Sequence, residues 1–214
     1  QSISKAVKFG IFFAIPAFFG IFILSDEIIK FLFFRGEFDI SDVSLTAKAL
    51  VALSFGLPAF ILIKILVVPF FANEDTKTPI KISILCMIIN LILNLILIKD
   101  FLHVGLAIST SISAWINALI LVYILKKKLH YSFDMKVLRV FLKVVISSVL
   151  MAYSVLEIYK YSYINFTYYI FFDKNFNLIM CIISGIIIYA LLLYFIGRKE
   201  LEFEKWKIQK KNPN

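Results

Sequence analysis

Residues 46–72 read TAKALVALSFGLPAFILIKILVVPFFA, and only Lys48 and Lys64 carry charge in this stretch. A helix needs roughly 20 predominantly apolar residues to cross the ~30 Å hydrocarbon core of a bilayer. The stretch has the length and composition of a membrane span with residues to spare. Its interior also holds Gly56, Pro58 and Pro69, breaks that a helix in lipid tolerates because neighbouring helices satisfy the backbone groups they free.

Outward from this stretch, apolar runs recur at about 9–33, 80–98, 104–125, 137–159 and 177–197. Together the six account for most of a 214-residue chain that is 61% hydrophobic and only 17% charged. Soluble domains carry about 25% charged residues, so a soluble globular protein is excluded, as is a disordered one. The expected fold is all-α: a polytopic integral membrane protein with six transmembrane helices. Residues 1–130 form a first unit of four spans, 131–197 a final helix pair, and 198–214 a cytoplasmic tail. The segment 159–176, rich in Tyr and Phe, is expected in the outer interface. Asn165-Phe166-Thr167 fits a glycosylation sequon that nothing else supports. Gln1 stands where a start Met would, and the chain reads as the later part of something longer.

The net charge of +9 would suggest nucleic acid in a soluble protein; here it reports topology. An even number of spans puts both termini on one side. That side takes Lys5, Lys8, Lys77, Lys81, Lys126, Lys127, Lys128, Lys136, Arg139, Lys143 and the six basic residues after Gly197, sixteen in all. The opposite side takes Lys30, Arg35, Lys48, Lys99, Lys160 and Lys174. The positive-inside rule then places both termini in the cytoplasm, and no nucleic-acid partner is expected.

Helices in lipid pack through small residues and interhelical hydrogen bonds. In the fourth stretch Gly105, Ser109, Ser113 and Asn117 recur every four residues, beside a second stripe of Ala107, Ser111, Ala114 and Ala118. Asn90 and Asn94 sit one turn apart in the third. Tight packing and the polar wall of a translocation cavity both fit these residues. Lys64 is the one basic residue well inside a span, and a charge there is costly and by default functional. Lining a polar cavity and snorkelling about 12 Å to the cytoplasmic end both remain open for it. Gly56, Pro58 and Pro69 are hinge candidates; Gly10, Pro16 and Gly20 break the first helix similarly. Arg139 and Lys143, one turn apart, could meet a lipid phosphate or serve as a positive-inside flank. His103 reads as interfacial. Cys86 and Cys181 lie in apolar runs with no metal-ligand or disulfide spacing. No catalytic constellation appears: no enzyme activity, metal or cofactor is expected.

Arg35-Gly36-Glu37-Phe38, Gly56-Leu57-Pro58-Ala59-Phe60-Ile61-Leu62-Ile63-Lys64 and Asp75-Thr76-Lys77-Thr78-Pro79-Ile80-Lys81-Ile82, with His103-Val104-Gly105-Leu106-Ala107 and Ala114-Trp115-Ile116-Asn117-Ala118, resemble the MurJ/MviN lipid II flippases. The resemblance is strong over about 30–121 and mainly hydropathic from 137 onward. It implies a member of the multidrug/oligosaccharidyl-lipid/polysaccharide exporter superfamily, in which these spans would be the ninth to fourteenth of fourteen helices around a cationic cavity. It implies transport of the undecaprenyl-linked peptidoglycan precursor across the bacterial inner membrane by alternating access, with Lys64 facing the cavity and the last two spans grooved for the lipid tail. The amino-terminal lobe has no counterpart in these residues, so a separately encoded amino-terminal half is a possible partner beside the lipid bilayer. The alternatives are an inactive remnant, a structural membrane subunit, or an exporter of another polyprenyl-linked saccharide.

Overall fold

The computed structural model of the chain describes residues 2–128, 135–166 and 174–211. Among these residues every regular element is a helix: α1 Ser2–Phe33, α2 Ile40–Ala72, α3 Lys77–Lys128, α4 Met135–Phe166 and α5 Lys174–Lys211. Helices close all their backbone hydrogen bonds within one segment, the condition for crossing hydrocarbon. Five helices among the described residues are long and apolar enough to cross a membrane, with α3 counted once.

The sequence stretches 80–98 and 104–125 both fall within α3. As a straight rod its 52 residues would reach about 78 Å, more than twice the hydrocarbon thickness. The backbone breaks at Leu102, where φ is 50° and ψ is −132°. The chain then folds back: the Asn90 carboxamide donates to Ser113 Oγ at 3.2 Å, whereas 23 residues of straight helix would hold the two about 35 Å apart. α3 is thus a hairpin with a first arm before Leu102 and a second arm after it. Gly105 makes the fold-back possible, since a Cβ there would lie 2.5 Å from the Leu97 carbonyl oxygen.

Local chemistry sets the helix ends. Asp39 caps α2 by accepting from the Ser41 and Asp42 backbone N–H groups, while the Asp42 carboxylate accepts from the Asp39 N–H. The Asp42 N–H, followed by the Ser41 hydroxyl, lowers the Asp39 pKa. Gly36, at φ 62°, turns the chain between α1 and α2 at a left-handed angle that glycine adopts without steric cost. α2 ends in a Schellman arrangement: Asp75 N–H reaches the Phe70 carbonyl at 2.9 Å and Glu74 N–H reaches Phe71 at 3.0 Å, with Glu74 at φ 59°. α4 runs helically past 159 to Phe166, with a Glu157–Lys160 pair one turn apart. The Thr167 of the sequon and Tyr168, Tyr169, Phe171 and Phe172 lie outside the described residues. The backbone of α5 stays helical beyond Gly197 to Lys211.

The helices pack in a row with α1 at its centre. α1 touches α2, α4 and α5; α2 touches α3; and α4 touches α5. One core cluster joins Val7, Ile11 and Ile15 of α1 to Val137 and Val144 of α4, so these two helices run parallel. A second joins Leu24, Met151 and Val155 to Leu178, Cys181 and Tyr189 of α5. A third gathers Leu66 and Phe70 of α2 with Ile82 and Cys86 of the first arm and Leu121 and Leu125 of the second. Both cysteines are free and buried. Large apolar side chains such as Met87, Leu95, Ile146 and Ile186 remain exposed along the outer faces, as expected of surfaces meeting lipid or further helices.

Replacing Gly105 by Ala should destabilise the fold by about 1–3 kcal/mol through overpacking against backbone that cannot yield. Gly20→Ala, where a Cβ meets nothing within 4 Å, should be neutral to stabilising by up to about 1 kcal/mol. Thermal midpoints of the detergent-solubilised variants measure the contrast, and equal midpoints would contradict the fold-back geometry.

Candidate functional site

Lys64 lies eight residues before the end of α2, exposed on that helix. Val68 and Phe71, one and two turns on, are exposed on the same face. An ammonium group on an otherwise apolar helix surface is a strong local source of positive potential. No described residue forms an ion pair or hydrogen bond with it.

The seam between the two arms of α3 carries the remaining polar candidates. The Asn94 carboxamide donates to Asn90 Oδ1 at 3.1 Å, Asn90 donates to Ser113 Oγ, and Ser113 donates to the Thr110 carbonyl at 3.0 Å. This is a directional chain that ends on backbone. Asn117 lies one turn past Ser113. The carboxamide oxygens of Asn94 and Asn117 are buried without a donor, an unusual condition in an interior where most polar atoms are paired.

The two small-residue stripes of the second arm serve different neighbours. The stripe with Gly105 and Ser113 meets the first arm. The other meets α2: Ser111 donates to the Ala52 carbonyl, and Ala114 and Ala118 pack on Ala59. Trp115 adds a bond from Nε1 to the Phe55 carbonyl at 3.0 Å. Gly56 is buried at this contact, and a Cβ there would come within 2.7 Å of Ser111 Oγ. Pro58 stands half-buried just beyond it and Pro69 is buried near the end of α2. Asn73 Nδ2 donates to the Pro69 carbonyl at 2.7 Å.

An apolar cleft of about 410 Å³ opens between α1, α2 and the second arm, lined by Phe18, Phe22, Phe55, Ile108 and Ile112 among others. It contains no charged residue and lies apart from Lys64. At the other side of the row, Arg139 is exposed and Lys143 half-buried near the start of α4. Val137 and Val144, which flank them in sequence, are buried in one cluster with Val7 of α1. Among the described residues no three His, Cys, Asp or Glu side chains gather where they could hold a metal.

One polar cluster escaped sequence reasoning. Lys128, the last residue of α3, donates to Asp75 Oδ2 at 3.1 Å and to Thr78 Oγ1 at 2.9 Å, tying the end of the second arm to the start of the first. Asp75 also accepts from the Thr78 hydroxyl at 2.6 Å and the Thr78 N–H at 3.0 Å. The Thr78 hydroxyl and N–H, followed by Lys128, lower the Asp75 pKa to about 2. An Asp three residues before a Thr at a helix start was a visible cap signal; nothing local named Lys128 as its partner.

A sequence model described as Lipid II flippase MurJ matches residues 1–177. A protein of Buchnera aphidicola subsp. Schizaphis graminum named Probable lipid II flippase MurJ is 33% identical over 96% of this chain and 40% of its own length. A Rickettsia prowazekii protein of the same name is 47% identical over 40% of this chain and 17% of its own. The solved structure of Lipid II flippase MurJ in an inward closed conformation superposes with a TM-score of 0.76 at 28% identity, over 93% of this chain and 39% of that one. The chain spans under half the length of these relatives.

Asp75 has a depressed pKa, so its contribution to stability is fully present above its ordinary value of 3.8 and is lost as pH falls towards 2. Asp75→Asn should therefore lower the thermal midpoint at pH 7, and the gap to the unmodified protein should close between pH 4 and 2. A gap that persists at pH 2 would contradict the clamp.

Proposed function

Because the chain belongs to the Lipid II flippase MurJ family, we propose that it forms the carboxy-terminal part of a flippase that moves a lipid-linked peptidoglycan precursor across the bacterial inner membrane during cell-wall biogenesis. The likeness in sequence and fold over nearly the whole chain carries this reading. The two arms of α3 each cross the bilayer, which makes six crossings, the last six of a fourteen-helix exporter. Both termini face the cytoplasm, in keeping with the basic residues gathered on that side.

In this reading an amino-terminal lobe supplies the opposing wall of the cavity, whether or not it is separately encoded. Lys64 lines the cavity and attracts the pyrophosphate of the cargo; its exposure on an apolar helix and lack of a counter-charge among the described residues favour that role. Asn90, Asn94, Ser113 and Asn117 form a polar wall beside it, and Arg139 and Lys143 meet a lipid phosphate at the inner leaflet. The helix breaks at Gly56, Pro58 and Pro69 accommodate the changes between inward and outward states. Transport proceeds by binding and alternating access, without covalent chemistry on the cargo.

In a bacterium depleted of its own flippase, residues 1–214 expressed with an amino-terminal lobe of the family should restore growth. Growth restored by residues 1–214 alone would overturn the need for a second lobe. In the paired state Lys64→Ala should reduce flipping of lipid II in reconstituted vesicles by about tenfold or more, the loss of one charge-assisted contact of about 1.4 kcal/mol. Lys64→Arg should retain most activity. Unchanged flipping in Lys64→Ala would favour a structural subunit or remnant, and failure to flip lipid II by a well-folded pair would point to another polyprenyl-linked saccharide.

A further inference from the structure

Pro16 lies inside α1 and has no N–H to donate, so the carbonyl four residues earlier, that of Phe12, loses its helical partner. Tyr189 of α5 fills the gap: its hydroxyl donates to the Phe12 carbonyl oxygen at 2.7 Å across 177 residues of sequence. The two rings reinforce the contact, meeting edge to face with centroids 5.6 Å apart. Tyr189 is buried at 8% exposure, so water does not compete for the bond. Met151 and Val155 of α4 pack in the same buried cluster as Tyr189. The polar contact therefore sits where α1, α4 and α5 meet.

Its position in the row gives it leverage. Among the described residues α5 packs only on α4 and α1, and the α4–α5 pair joins the other helices chiefly through α1. The clustered contacts of α1 with α5, Leu24 with Leu178 and Cys181 among them, are apolar and non-directional, and lipid tails compete well for such contacts. The Tyr189–Phe12 bond is directional, and breaking it strands a carbonyl where no solvent can reach it.

We propose that Tyr189 is a latch that couples the seating of the final helix pair to the backbone of α1 at Pro16. Tyr189 acts as the donor that Pro16 lacks, so separation of α5 from α1 and release of the Phe12 carbonyl are one event. The coupling is intrinsic to these helices and independent of which cargo the protein carries.

A double-mutant cycle on the full chain tests the latch. Tyr189→Phe removes the donor and keeps the ring, and should lower the thermal midpoint by a few degrees. Pro16→Ala returns a backbone N–H to the Phe12 carbonyl, so in that background Tyr189→Phe should lose at least half of its effect. An equal effect in both backgrounds overturns the proposal. Spin labels at Phe9 and Ile186, both exposed, in a chain with Cys86→Ser and Cys181→Ser, give a second readout. Their distance distribution should broaden in Tyr189→Phe and narrow again in the double variant; a distribution unchanged by Tyr189→Phe overturns the coupling. Should Tyr189→Phe alone fail to accumulate in membranes, recovery of the double variant supports the latch and its absence beside a stable Pro16→Ala overturns it.

Discussion

A backbone carbonyl in hydrocarbon has no water to turn to, and this requirement governs the arrangement of the described helices. Where the chain keeps regular helix the condition is met locally. Where Pro16 interrupts it, the remedy comes from Tyr189 on the far end of the chain. In α2 the second arm of α3 donates to carbonyls beside Gly56 and Pro58, Ser111 to Ala52 and Trp115 to Phe55, and so fixes the two helices against each other. Such directional bonds make particular neighbours wanted. Apolar packing against apolar lipid could not supply that selectivity.

Close approach is the second condition. Gly56 and Gly105 sit where a Cβ would run into Ser111 and into the Leu97 carbonyl, and the alanines at 59, 114 and 118 let α2 and the second arm meet almost backbone to backbone. The exposed face of α2 is left to carry Lys64, whose charge is held by none of the described residues. The helices that hold one another through small residues therefore also form the scaffold that presents Lys64.

Much of this was legible beforehand, because periodicity and composition are local properties. The apolar runs, the two stripes of the second arm and the odd position of Lys64 all follow from spacing alone. The 159–176 segment was less transparent: α4 keeps its helix to Phe166, since aromatic residues and a Glu157–Lys160 pair are as compatible with helix as with an interfacial loop. Gly56 could be read as a point of flexibility from sequence, yet in the fold it is buried under Ser111.

By itself the sequence determined that the chain is a set of apolar helices, which residues on each helix are small enough to meet a neighbour, and which end of each carries positive charge. Hydrophobic length, side-chain volume and charge are properties of residues and need no partner to be defined. Only the tertiary structure decided which surfaces meet: that Asn90 reaches Ser113, that Lys128 closes on Asp75, and that Tyr189 answers the carbonyl freed by Pro16. A hydrogen bond needs a specific donor and acceptor brought within about 3 Å, and helices that each satisfy their own backbone leave that pairing to the packing of the whole.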